Sequence, residues 1–432
     1  MLKITIEGDE RLEIEEPKYI DVSLESPKVW GDVKKQVEEL CVLKPEWSSK
    51  DYGIYDYRLN KKTGKEIADN TPITKDITVV VRTNYINFEW DGTILKGYNG
   101  EEPKGKIIIP TKATEVNLSS RSITSLDLSF CKNIECLNLF GLNMTNIDLL
   151  RFKKLKALWL SGESITKLDL SKCKKLEVLS LYETGITNLN LSTCKYLYVL
   201  HLGKIQLTSI DLSSCKYLEW LWLAEMPVTN LDLLSCKKLE CLRLRKLDIK
   251  SIDLSSCSNL EELSLEDIKV EDLDLSACKK LKKLRLVRIF IKDINLSSCK
   301  NLTKVRLEES FIEHIKLSAN KKLESITLTE TLVGNIELSA CINLKKFYLK
   351  KAVVKNLDLS LCIQLTRILW VEPIFANFII ERVKLPANLV KIRKEAFANK
   401  NLIYCKKVFV PNEKIKKLVR KSGYPEDRID LY

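Results

Sequence analysis

LEVLSLYETGITNLNLSTCKY, Leu176 to Tyr196, is the stretch that decides the fold: its pattern, LxxLxLxxxxIxxLDLSxCxx, recurs every 21 residues from Ala113 to Gln364 without an insertion. Copies begin at Ala113, Ile134, Leu155, Leu176, Leu197, Leu218, Leu239, Leu260, Leu281, Leu302, Leu323 and Leu344, twelve in all. A period held that strictly is the signature of a solenoid.

A unit of this length cannot bury its apolar residues alone, so each copy is read as one coil stacked on its neighbours. Both the LxxLxL half and the IxxLxL half alternate apolar and polar residues, the period of a half-buried strand. Only about four residues separate the halves, too few for a helix. The expected coil therefore holds two short parallel strands, stacked at roughly 4.8 Å into two sheets.

With this repeat the sequence resembles the leucine-rich repeat superfamily, in particular the short bacterial class whose 21-residue unit is a doubled LxxLxL. The resemblance covers well over half the chain. It implies a recognition scaffold and leaves the client open, since one such fold serves many partners.

The flanks differ from the repeat. Residues 1–86 read as a small α+β domain. Its expected strands are Tyr19–Leu24 (YIDVSL), Tyr52–Leu59 and Ile73–Arg82, with an amphipathic helix over Pro27–Val42 and a turn at Lys61–Gly64. The segment TGKEIADNTPITKDITVVVRT, Thr63 to Thr83, resembles the end of a bacterial β-grasp repeat of internalin-type surface proteins. Residues 87–112 read as a linker and N-terminal cap over the first coil, with Tyr85, Phe88 and Trp90 as cap core. Residues 113–364 are the solenoid, and 365–432 a degenerate repeat and basic cap. Within the last, VKLPANLVKIRKEAFANKNL, Val383 to Leu402, resembles the LPxxLxxIxxxAF unit of BspA-like leucine-rich repeat proteins, followed by a short basic helix from Asn412 to Ser422. The fold class expected is mainly β: a leucine-rich repeat solenoid preceded by a β-grasp-like domain.

The formal charge of +13 is unevenly placed. Residues 1–86 carry 14 basic and 17 acidic residues, and 380–432 carry 14 and 6, so the basic excess begins after the first domain and suits an acidic partner. Ten of the 14 cysteines occupy one repeat position, which Phe152 and Asn320 fill in two other coils. A position that accepts Phe is a packing position, so these residues are expected as a column of free thiols, although rungs one strand apart are close enough for a disulfide. No CxxC pair suggests zinc. The start MLKITIEGDE lacks the apolar core of a signal peptide, and a reduced, cytoplasmic setting is the default expectation, whereas the family resemblance implies a surface or secreted one.

The leucines of LxxLxL point inward, so positions 3, 5 and 7 of each coil face outward on the first sheet. The residues expected to contact a protein partner are Phe140, Trp159, Tyr182, His201, Trp220, Trp222, Arg243, Arg245, Arg285, Arg306 and Tyr348. Large aromatics and arginines on an exposed strand face are the usual anchors of an interface, though aromatics also suit any sheet surface. A second reading is polyanion binding, to glycan or nucleic acid, through the arginines and the Lys-rich tail. A third is a purely structural repeat. The other sheet carries a row of Asp (Asp127, Asp148, Asp169, Asp211, Asp232, Asp253, Asp274, Asp358) whose monotony reads as solvated scaffold.

Nothing assembles a catalytic set. The two histidines, His201 and His314, fall on different faces more than five coils apart, and no glycine-rich loop fits a phosphate cradle. No enzyme activity, metal or cofactor is expected.

Overall fold

A computed structural model describes residues 2–8, 18–22, 52–59, 65–66, 77–85, 87–99, 105–109, 112–118, 123–128, 131–142, 144, 146–371, 380–392, 398–399, 402–403 and 405–432. The chain forms two compact units: one of residues up to Leu176 with Glu183–Gly185, the other of Glu177–Tyr182 and Ile186–Tyr432.

In the first unit, strands Leu2–Gly8, Lys18–Val22, Tyr52–Leu59, Lys65–Glu66 and Ile77–Tyr85 form one mixed sheet. Leu2–Gly8 pairs antiparallel with Lys18–Val22 and parallel with Ile77–Tyr85. The YIDVSL strand thus starts one residue early, and the strand expected from Ile73 is assigned over Ile77–Tyr85. The expected helix over Pro27–Val42 and the turn at Lys61–Gly64 lie outside the described residues. A hairpin, Asn87–Asp91 with Ile94–Asn99, turns at Gly92, whose φ of +61° is cheap only without a Cβ. Its second strand pairs in parallel with Glu115–Asn117, and Leu95 is fully buried there. Coil strands Cys136–Leu139 and Ala157–Gly162 continue that ladder.

In the second unit the first half of every coil is a parallel strand. The ladder runs from Val178–Thr184 through Val199–Gly203, Trp220–Met226, Cys241–Leu247, Glu262–Ile268, Lys283–Val287, Lys304–Glu308, Ser325–Thr329, Lys346–Lys350 and Arg367–Val371 to Lys391–Ile392. Register is rung on rung, Leu200 opposite Leu221 and Leu221 opposite Leu242, so each inward leucine stacks on its counterpart. Leu197, Leu200 and Leu202 have no exposed surface, and Ile186 and Cys194 behave alike in the adjoining turn of chain. Burying one such leucine contributes roughly 1.5–3 kcal/mol.

In the first copy the second half, Ile123–Asp127, pairs in parallel with Gly105–Ile108 before the coils, and from Leu155 onward the second half forms a strand ladder only in the later copies: Phe290–Asn295, Phe311–Lys316, Leu332–Glu337 and Val353–Asp358. Position 10 separates the two kinds of coil. It is Phe290, Phe311, Leu332 and Val353 where the ladder forms, and Ser164, Gly185, Gln206, Pro227, Asp248 and Lys269 where the same segment runs without strand pairing. Bulky aromatic and β-branched side chains favour the pleated backbone, whereas glycine and proline oppose it.

Among the described residues the coils from Ile134 to Leu344 turn their corner after the first strand at position 8. There the backbone is left-handed at Gly141 and Gly162 and also at Glu183, Lys204, Glu225, Lys246, Asp267, Arg288, Glu309, Glu330 and Lys351, with φ between 49° and 54° in these nine. That conformation costs an L-residue roughly 1–2 kcal/mol. The corner N–H is captured by the next coil: Lys204 N donates to Ala224 O, and Arg288 N to Glu308 O, both at 2.9 Å.

Beyond Gln364 the sequence register lapses, yet both sheets go on. Lys391–Ile392 pairs with Arg367–Val371, and Ile380–Lys384 and Cys405–Val410 extend the second sheet. The basic helix forms over Glu413–Lys421. Asn412 caps it by accepting the Ile415 N–H at 3.0 Å, and Ile415 and Val419 are buried beneath it. Tyr424 and Tyr432 then tie the end down through hydroxyl donations to Cys405 O and Leu385 O.

Candidate binding face

Two repeat columns that could have been chemical are structural in geometry. At position 15, Asp148, Asp169, Asp211, Asp232, Asp253, Asp274 and Asp358, with Asn190 and Asn295, each accept the backbone N–H two residues on at 2.8–3.1 Å. The row is a series of Asx turns that bend the chain into the next coil. Hydrogen bonds from Ser213 and Ser255 hold the Asp211 and Asp253 carboxyls below their ordinary range. Among the described residues no group of His, Cys, Asp or Glu has the geometry to hold a metal ion.

The cysteine column packs inside, and the thirteen described cysteines are all thiols. Burial pushes Cys215, Cys236, Cys278, Cys341 and Cys362 up to about 12, which removes thiolate reactivity at neutral pH. Asn320 explains the column. Its Nδ2 donates to Leu296 O at 3.1 Å and Cys299 O at 2.8 Å, in the preceding coil. Cys299 reaches the equivalent carbonyl, Leu275 O, at 3.7 Å, and Cys173 and Cys341 make the same longer contact with Leu149 O and Leu317 O. The thiol is thus a short, weak version of the amide donor between coils.

On the first sheet the structure brings part of the aromatic column together. Tyr182 and Trp222 lie two rungs apart yet stack, ring centroids 6.3 Å apart and planes within 15°. Gly203 on the rung between makes this feasible: a Cβ there would fall 2.8 Å from Tyr182 Cδ2 and 3.0 Å from Trp222 Cζ3. His201 meets Trp222 edge-on at 6.1 Å, and Lys204 Nζ sits 5.2 Å from the Tyr182 centroid. Burial first, and then the Arg243 charge, lowers the His201 pKa, so its imidazole is neutral at pH 7. Trp220, at 42 % exposure, stands open beside this cluster. In the first unit Phe140 is 44 % exposed and Trp159 half-buried. Tyr348 is half-buried further along the second unit's ladder.

The arginines are not a bare positive surface. Arg243 meets Glu262 at 3.4 Å; Arg245 meets Glu225 at 3.3 Å and Glu266 at 3.1 Å; Arg285 meets Glu266 at 3.0 Å and Glu308 at 3.2 Å. Arg288, at a corner position, joins Glu266, Asp267 and Glu309, and Arg306 pairs with Glu308. Burial raises the Glu266 pKa, but Arg285 and Arg245 outweigh it and the net shift is downward; Lys283 and Arg243 likewise depress Glu262. Glu262 and Glu266 are therefore charged at neutral pH. The sequence reading singled out Arg243, Arg245, Arg285 and Arg306 but missed the lattice, including Arg288, Glu225 and Glu308. The signal was present: down position 8 the sign alternates through Glu183, Lys204, Glu225, Lys246, Asp267, Arg288 and Glu309. His314 is elsewhere, on the second sheet, with Nδ1 3.3 Å from Asn335 Nδ2.

No family model and no curated protein matches the sequence. Solved structures do match. The functional domain of InlJ from Listeria monocytogenes, described as including a cysteine ladder, is 20% identical with a TM-score of 0.55 over 69% of this chain and 69% of that one. The internalin InlF of the same organism is 19% identical, TM-score 0.48, over 62% and 80%. A leucine-rich repeat protein of Leptospira interrogans is 16% identical, TM-score 0.40, over 56% and 86%. At 20% identity the likeness to the InlJ domain concerns the fold, and with the rung-on-rung ladder above it gives the chain the mainly β architecture of a leucine-rich repeat solenoid.

Proposed function

We propose that the protein is a non-enzymatic scaffold that binds a protein partner on the first-sheet face of the second unit, centred on Trp220, Trp222, Tyr182 and His201 and flanked by Arg243, Arg245, Arg285 and Arg306. The observation that carries this reading is Trp220. A tryptophan 42 % exposed beside a preassembled aromatic stack offers a rigid apolar anchor, and the ion-paired arginines form a polar rim. That the arginines already face carboxylates favours a protein partner over a polyanion at this site. Phe140 and Trp159 extend the proposed contact residues in the first unit, and Tyr348 in the second.

The finer readings belong here as well. The five-stranded mixed sheet, with Leu2–Gly8 parallel to Ile77–Tyr85, supports a β-grasp-like domain over 1–86. The buried Leu385 and Leu389 support a BspA-like unit before the C-terminal cap. Adhesion or host-protein binding is the role that the family resemblance implies.

The test is a double substitution, Trp220→Ala with Trp222→Ala, in a pull-down with quantified recovery. The expected result is loss of a partner that the parent chain retains, at least about tenfold, as for an interface hot spot, with the circular dichroism melt within a few degrees of the parent. Unchanged recovery contradicts the site, and an unfolded variant makes the two tryptophans core residues.

A further inference from the structure

Away from both sheets, the turn that follows the cysteine column carries a second surface. In the second unit position 20 is Lys195, Lys216, Lys237, Lys279, Lys300 and Lys321, interrupted at Ser258 and ending at Ile342. All six are exposed. They repeat at the rung spacing, roughly 4.8 Å. Among the described residues none of these six ammoniums lies in an ion pair, in contrast to the sheet-face arginines Arg243, Arg245, Arg285 and Arg306, which are bound to glutamates. Across positions 16–21 of the same coils no acidic residue occurs; outside that window the position-15 carboxylates are engaged by the Asx turns, and Glu219, Glu240 and Glu324, three residues past Lys216, Lys237 and Lys321, belong to position 2 of the following coil.

Position 21 shapes what such an edge can hold. Tyr196 and Tyr217 stack on one another at 6.2 Å, and Lys238 Nζ covers the Tyr217 ring at 4.4 Å. These two rings stay 60 % and 47 % exposed, but position 21 carries no aromatic in the following coils, where it is Lys238, Asn259, Lys280, Asn301, Lys322 and Asn343, so the edge lacks the run of rings on which successive bases of a single-stranded nucleic acid stack. No arginine occurs at positions 20 or 21, so the planar fork that grips phosphate in pairs is missing and the edge offers only point charges. A ligand matched to it is a polymer with one negative charge at each regular step and no demand for stacking. A sugar residue of an extended polysaccharide is about one rung long.

We propose that this lysine edge binds an extended acidic polysaccharide bearing about one acid group per sugar, laid along the coil stack with successive carboxylates against successive lysines. The site shares no residue with the sheet face and does not rest on the reading given for it.

The test uses the full chain and oligogalacturonates of increasing length, with a single-stranded oligothymidylate of equal charge as competitor class. Two triple variants remove equal charge: Lys195→Gln, Lys216→Gln and Lys237→Gln on the edge, and Lys414→Gln, Lys417→Gln and Lys421→Gln on the C-terminal helix. At low salt, affinity is expected to rise with oligomer length, the edge variant to lose at least about tenfold and the helix variant about twofold or less. Equal losses in the two variants, equally tight oligothymidylate, or no oligogalacturonate binding would each overturn the proposal. The lysines are exposed and without carboxylate partners, so the edge variant keeps the parent melting curve; if it does not, the three single variants are read in its place.

Discussion

At the scale of single residues, the inter-coil donor at position 19 separates packing from hydrogen bonding. Asn320 is fully buried and bonds two carbonyls of the coil before it. Asn320→Ala removes both donations while Leu296 O and Cys299 O keep the backbone N–H groups of Cys299 and Leu302, so the loss is that of two hydrogen bonds, about 1–3 kcal/mol. Asn320→Cys is expected to cost about half as much, because a thiol returns one weak donor in a volume that the other coils show to fit. Urea denaturation of both variants measures the difference, and equal destabilisation would mean that the thiols contribute packing alone. The cysteine column was legible in the sequence because Phe152 and Asn320 interrupt it. The particular acceptors, Leu296 O and Cys299 O, were not, since they lie 24 and 21 residues back and only the stacking brings them close.

At the scale of elements, the two kinds of coil answer differently to the same change. Phe311 N donates to Ile289 O at 3.0 Å inside the second-sheet ladder. Phe311→Pro deletes that bond and is expected to destabilise by about 3 kcal/mol or more. Gln206→Pro, at the same repeat position in a coil without the ladder, is expected to be nearly neutral, because Pro227 already occupies it one coil later. Two strands per coil followed from the alternation of both half-repeats. The dependence on position 10 went unread because that position is variable and lies in the short spacer between halves.

The glutamate and arginine lattice is likewise an element-scale device, tying five consecutive rungs. Glu262, Glu266 and Asp267 all have carboxyl pKa values lowered in the folded chain. Their contribution is therefore present above the ordinary carboxylate range and is lost as pH falls through the depressed folded values. Comparing denaturation midpoints of the parent and Glu266→Gln checks this: a gap at pH 7 should close below about pH 4. A gap that persists there would assign the effect of Glu266 to packing. The lattice escaped the sequence reading because a column of arginines suggests charge, while their neutralisation depends on partners 19 to 23 residues away, such as Arg285 with Glu266 and Glu308.

At the scale of the whole molecule, the net charge of +13 reports little about the face with the most arginines, because those arginines are balanced. Six lysines that lie in no ion pair among the described residues line the turn edge instead, from Lys195 to Lys321. Composition gave the sum, and only the coil geometry gave its distribution. The repeat itself specified which side chains point outward, so Trp220 and Trp222 could be placed on the first sheet from pattern alone. That Tyr182 closes over Gly203 onto Trp222 required the packed rings. The central claim, that a protein partner sits on this face, is tested most directly by a photo-cross-linking amino acid placed at Trp220, at Arg306 and, on the second sheet, at exposed Lys292, in the chain mixed with extract from its native cells. One partner band from positions 220 and 306 and none from 292 is the expected result. The same band from 292 alone, or equally from all three, would contradict it.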